Sequence, residues 1–157
     1  MTTDREALVE ALQGAAQQAD VVISSGGVSV GDADFIKLAL AQVAQINFWR
    51  INMRPGRPLA FGQIGDSLFF GLPGNPVAVM VSFMQFVQPA LRKLAGEQEW
   101  APTLVPAVAD CTLRSRTGRT EFTRGVYHLG RDGRLHVTST GPQGSCMLSS
   151  MVKGNCL

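Results

Sequence analysis

Long hydrophobic runs are missing from this sequence. Every apolar stretch in its 157 residues meets a Gly, a Pro or a charge well short of the roughly 18 residues a membrane span needs, so a transmembrane helix is excluded although mean hydropathy is slightly positive. The first twenty residues carry acids and no apolar core segment, so no secretory signal is expected and the cytoplasm is the expected compartment. Cysteine is scarce: Cys111, Cys146 and Cys156 are odd in number and lack CxxC spacing, which fits neither a disulfide framework nor a zinc site. Net charge is only +2, too little for a nucleic-acid or membrane-surface partner. There is no internal repeat and no low-complexity tract.

The charge that is present divides unevenly. Residues 1–100 hold seven Lys/Arg against nine Asp/Glu, a balance of −2, whereas residues 101–157 hold seven against three, a balance of +4. Eleven of the fourteen basic residues are Arg, which suits planar recognition of oxyanions and is equally explained by a coding bias. Texture changes at about the same place. Residues 3–19 read as an amphipathic helix with Thr3 and Glu6 spaced as a capping box and Leu8, Leu12, Ala15, Ala16 and Ala19 on one face. Val21-Val22-Ile23 is a short run of the kind buried in a parallel sheet, followed by a glycine-rich loop and a second helix marked by Phe35, Leu38, Ala39 and Val43. Strands are expected at 46–53, 59–64 and 68–70. A long helix over 77–94, apolar almost all round and so expected to be buried, starts after Asn75-Pro76 as N-cap and first residue. From Glu97 the pattern is of strands at 104–113, 121–129 and 135–140, the last two joined by an Arg131-Asp132-Gly133 turn. These readings divide the chain into an α/β domain at 1–97 and an antiparallel β domain at 98–157.

Chemistry is expected in three loops. The segment Ser25–Asp34 leaves a buried strand and opens a helix, where open α/β sheets bind ligands, and its glycines let backbone N–H groups approach an anion. Gly27-Val28-Ser29-Val30-Gly31 also matches the G-x-S-x-G nucleophile elbow, but the connection is longer than that sharp turn and the only histidines, His128 and His136, lie in the β hairpin. Asp32 and Asp34 at the helix start are either caps, or one is a cap and the other is free to hold a divalent cation against a phosphate. Arg50, Arg54 and Arg57 crowd a proline-stiffened turn, either as a solvated turn or as guanidinium groups aimed at an oxyanion. Gly71–Pro76 closes on a helix start that is either ordinary capping or a second anion site with a rigid wall.

Together, Ser24-Ser25-Gly26-Gly27-Val28-Ser29-Val30-Gly31-Asp32-Ala33-Asp34-Phe35, Arg54-Pro55-Gly56-Arg57-Pro58 and Gly71-Leu72-Pro73-Gly74-Asn75-Pro76-Val77 resemble the molybdopterin molybdenumtransferases, the MoeA family that includes the E-domain of gephyrin. Thr123-Arg124-Gly125-Val126, Thr140 to Ser145, Ser149-Ser150 and Gly154-Asn155-Cys156 continue the match, which covers nearly the whole chain. The resemblance implies an incomplete three-layer parallel-sheet domain of the molybdopterin-binding type, followed by an incomplete small antiparallel β-barrel domain. It also implies a reaction: magnesium-dependent insertion of molybdate into adenylylated molybdopterin with release of AMP. The alternatives are a non-catalytic nucleotide- or pterin-binding module, an inactive fragment of that enzyme, or a scaffold. Nothing in the sequence argues for the scaffold.

The resemblance further assigns roles. Asp34 would hold Mg2+ near the pyrophosphate, with Asp4 as the nearest acid where the family has an aspartate and this chain has Thr3. Gly26, Gly27, Ser29 and Gly31 would contact phosphate, and Gly74 and Asn75 a second part of the ligand. Arg54 and Arg57, with Arg124 and Ser145, would form the molybdate pocket, Arg50 would join the cofactor-binding residues, and Pro73 and Pro76 would shape the pocket wall. Desolvating a doubly charged ion requires several such donors to converge on it. Many members carry Lys at the positions of Arg50, Arg54 and Arg57, and Ala78 stands where Ser is frequent. The family implies a homodimer, with a molybdopterin adenylyltransferase and molybdoenzymes as partners. Its members are longer, so the isolated chain is expected to have little or no activity.

Overall fold

In the computed structural model of the chain, residues 4–26, 40, 41 and 44–157 are described, with the backbone alone for Asp4 and Arg5. Gly27, Ser29, Gly31 and Asp34, most of the expected second helix and the Thr3 cap lie outside the described residues.

Helix α1 spans Asp4–Ala16 and is followed by β1, Val21–Ser25. Strands β2 (Gln45–Arg50), β3 (Met53–Arg54), β4 (Pro58–Ile64) and β5 (Ser67–Leu72) come next. Four of them form one sheet in the order β1-β5-β4-β2. Only β1 and β5 are parallel; β5 with β4 and β4 with β2 run antiparallel, so this sheet is mixed rather than parallel. The cause is local. Ile64 pairs with Ser67 across the two-residue turn Gly65-Asp66, and a connection that short can only reverse the chain.

The sheet is covered on both faces, which gives the expected three layers. Strand alternation sorts the side chains: Phe69, Ala60, Ile64 and Val22 face α1 through Leu12, with Leu40 in the same cluster, whereas Leu59, Phe70 and Leu72 face the other way. That second face meets α2 (Pro76–Ser82), a π-helical turn (Phe83–Val87) and α3 (Gln88–Leu94), which follow one another without a break. The widened turn precedes Pro89, which has no N–H to offer an α-helical partner four residues back. The helix is not buried all round. Val77, Val81 and Val87 are fully buried, but Met80, Met84 and Leu94 are exposed, so one stripe does the packing.

Beyond Glu97 the strands are shorter than expected. Of residues 104–113 only Val108–Ala109 (β6) is paired, and Leu104 and Val105 are exposed. Strand β8 (Gly125–Leu129) pairs antiparallel with β9 (Leu135–Ser139), as the Asp132-Gly133 turn implies, while β6 joins β9 in parallel. This three-stranded sheet is open, not closed into a barrel. A two-residue strand β7 (Thr120–Glu121) leaves it and pairs in parallel with β3, and a short helix α4 (Leu148–Lys153) follows. The β3–β7 ladder places Arg54 beside Glu121, with the Phe122 amide donating to the Arg54 carbonyl at 2.8 Å.

Candidate functional site

That ladder builds a cavity of about 780 Å³ between the proline turn and the β unit, a volume of the size used for small-molecule ligands. Arg54 and Arg57 line it from the turn between β3 and β4; Pro73, Gly74 and Asn75 from the entry to α2; and Arg124 and Ser145 from the β unit. Seven of the residues singled out in the sequence thus meet in one place. Arg50 sits on β2 opposite Pro58, outside the lining, and Pro76 starts α2, also outside it. Gly26 is close behind the wall: it has φ +88° and donates to the Leu72 carbonyl at 3.1 Å, and a Cβ at Gly74 would lie 3.4 Å from its Cα.

The turn that carries the two arginines is shaped by Gly56. Its φ of +98° suits glycine, and a Cβ there would stand 2.5 Å from Ser82 Oγ and 3.1 Å from Met53 Cε. The Arg54–Pro55 peptide is cis. Arg54 is more than half exposed and leans towards Glu121 at 3.8 Å, but the Glu121 carboxylate is already engaged by Arg119 at 3.0 Å. Glu121 thus holds Arg54 only loosely, and the guanidinium keeps donors for a ligand.

Arg124 is the anomaly of the site, a cation only 2% exposed. Its Nε donates to Ser150 Oγ and its Nη2 to the Gly144 carbonyl, both at 3.0 Å. Neither acceptor is charged, and among the described residues no carboxylate pairs with it. Burial, and after it the charge of Arg54, lowers its pKa, yet an arginine stays protonated. Its backbone is clasped by Gln143, whose Oε1 accepts from the Arg124 amide at 2.8 Å and whose Nε2 donates to the Arg124 carbonyl at 3.1 Å. A buried cation beside a second cation, without a counter-charge, is an electrostatic invitation to an anion.

Asn75 occupies the N-cap position of α2 with extended backbone, but its side chain does not cap. Its Nδ2 instead points to Cys146 Sγ at 3.4 Å, and its Oδ1 is buried with no partner among the described residues. Glu121, Gln143 and Ser150 were not singled out as site residues from the sequence. Glu121 carried a signal, since it lies just upstream of Arg124 on the same short extended segment.

No metal group is formed by the described residues: they contain no cluster of three or more His, Cys, Asp or Glu able to hold an ion. Asp34 and the side chain of Asp4 are not among them.

Comparison with known proteins gives the family. Residues 2–93 match the model described as a probable molybdopterin binding domain, and residues 106–157 match the MoeA C-terminal region, domain IV. The chain belongs to the MoeA family. It is 49% identical to a molybdopterin molybdenumtransferase of Haemophilus influenzae over 98% of its own length and 38% of the relative's. It is 35% identical to a gephyrin of Dictyostelium discoideum over 97% of its length and 24% of the relative's. A solved molybdopterin biosynthesis MoeA protein from Pyrococcus horikoshii superposes with a TM-score of 0.71 at 28% identity, covering 99% of this chain and 34% of that one. The chain thus spans well under half the length of the MoeA relatives it matches. Among the described residues no helix is long and apolar enough to cross a membrane.

Proposed function

We propose that this chain carries the oxyanion-handling part of a molybdopterin molybdenumtransferase, in which molybdate is inserted into adenylylated molybdopterin and AMP leaves. The observation that carries the reading is Arg124: a buried guanidinium without a carboxylate, facing a cavity that Arg54 and Arg57 also line. Its role is to take the oxyanion out of water. The fixed Arg124 supplies charge and directed N–H groups, the looser Arg54 and the exposed Arg57 close on the ion from the turn, and Ser145 adds a hydroxyl from the opposite wall. Pro73 and Gly74 keep the α2 side rigid and narrow, with Gly74 leaving room for the close approach of Gly26.

Magnesium, when bound, supplies neutralisation of phosphate charge. Its hard oxygen chemistry suits Asp34, with Asp4 as second carboxylate, and the described residues offer no competing group. The resemblance supports a homodimer and partners that deliver adenylylated molybdopterin and accept the finished cofactor, in the cytoplasm.

The test is magnesium-dependent AMP release in the MoeA protein that carries this chain. Arg124→Ala is expected to lower turnover at limiting molybdate by about 100-fold or more, and Asp34→Asn to nearly abolish it. Wild-type turnover in either variant would overturn the assignment of that residue.

A further inference from the structure

We propose that Ser150 is a positioning residue for Arg124: it holds the inner edge of the guanidinium so that the outer edge is presented to an oxyanion in the cavity. The inference rests on the reading of the cavity as an oxyanion site and deepens it.

Ser150 is buried in the first turn of α4, far from the arginine-bearing segment in sequence. A hydroxyl has one hydrogen, and that of Ser150 is committed to the Met147 carbonyl at 2.6 Å. Only its lone pairs are left to face Arg124, so the hydroxyl acts as an acceptor for the Nε–H at 3.0 Å. The Gly144 carbonyl takes one Nη2–H at the same distance. Two acceptors on two different nitrogens fix the rotation of the guanidinium plane. Of its five N–H groups three remain without a partner among the described residues, and Arg124 lines the cavity. Because both acceptors are neutral, they orient the cation without cancelling its charge. A carboxylate in place of Ser150 would orient it as well and spend the charge that an oxyanion needs.

The Met147 carbonyl and Ser150 itself belong to the segment that also supplies Gly144 and Ser145. The hydroxyl therefore ties the orientation of Arg124 to the segment that carries Gly144 and Ser145, so that the β-unit side of the cavity is set by one short stretch of chain.

The experiment is a calorimetric titration of the MoeA protein that carries this chain with sodium molybdate, paired with the ¹⁵N–¹H signal of the Arg124 Nε–H, assigned by its loss in Arg124→Lys. Ser150→Ala is expected to weaken binding about tenfold and to expose the Nε–H to rapid solvent exchange. Ser150→Thr, which keeps the hydroxyl, restores both, and Ser149→Ala, an exposed neighbour, changes neither. Ser150→Cys has nearly the same shape but accepts poorly; it is expected to fall between parent and alanine, and it decides the matter if Ser150→Ala does not fold. Parent-like affinity and an undisturbed Nε–H signal in the alanine or cysteine variant, while Arg124→Ala loses binding, would overturn the positioning role alone. Parent-like affinity in Arg124→Ala would overturn the oxyanion reading itself, and the role of Ser150 with it.

Discussion

His136 is held by carboxylates from two parts of the β unit. Its Nδ1 lies 2.7 Å from Asp110 Oδ1 and its Nε2 3.1 Å from Asp132 Oδ1, while His128 stacks obliquely with ring centres 5.7 Å apart. With a carboxylate at each nitrogen both must donate, which is the imidazolium form. The hydrogen bond to Asp110, then that to Asp132, raises the His136 pKa, and the Arg134 amide, then His136, lowers that of Asp132. A raised histidine stabilises the fold fully below its ordinary value of about 6.5 and loses that contribution as pH climbs through the raised value. The lowered Asp132 contributes above its ordinary range and is lost as pH falls through the lowered value. The clasp is strongest between these limits. Melting temperature is therefore expected to fall as pH rises through and above about 6.5, and His136→Gln should flatten that slope; an unchanged slope would remove the clasp as its cause. At this scale Arg124 was legible through the motif around it. Its want of a counter-charge was not, because Gly144 and Ser150, which touch it, follow in a later loop and helix that no local pattern ties to it.

Elements were legible where the signal was local. The β1 run, the Asn75-Pro76 helix start and the Asp132-Gly133 hairpin all appear in place. The direction of the sheet is not legible in the same way, because buried apolar strands look alike in parallel and antiparallel settings and only the two-residue turn Gly65-Asp66 decides it. Residues 104–113 show that strand propensity forms a strand only where a neighbour pairs with it. The turn bearing Arg54 and Arg57 depends on Gly56 and on the space above Ser82, whose buried hydroxyl has no partner among the described residues. Gly56→Ala is expected to cost about 1–3 kcal/mol in denaturant unfolding. Ser82→Ala should be neutral or slightly stabilising, since it removes an unpaired buried polar group. The double variant should recover part of the Gly56→Ala loss, because the hydroxyl is the nearest obstacle to the new methyl group; strict additivity would show that the clash is not the cause.

Across the whole molecule three apolar clusters divide the work. Two cover the faces of the four-stranded sheet, and the third, Met53, Val77 and Val81 with Phe122 and Met151, fastens that sheet's helix to the β unit. Met53→Ala and Phe69→Ala are both expected to destabilise, by about 2–5 and 3–5 kcal/mol. Their effects on the cavity should differ. Met53 lies in the seam beside the cavity proposed to take an oxyanion, so its truncation should also weaken molybdate binding at temperatures where the chain is still folded, whereas Phe69, on the α1 face, should not. Equal binding losses in both would show that the seam has no special part in the site.

Asn75, in the cavity lining, touches Cys146 although 71 residues separate them in the chain. A ligand clasped in the cavity would work as a reversible crosslink between its two sides, adding by mass action to the β3–β7 ladder, the Arg54–Glu121 pair and the Met53 cluster that join them among the described residues. Excess oxyanion at 100 times its dissociation constant would stabilise the joined state by about 2.7 kcal/mol. Limited proteolysis within the exposed 101–107 stretch would not feel this, but cleavage that requires the β unit to swing away from α2 should slow roughly a hundredfold. An oxyanion bound there would then act as a staple between the two sides.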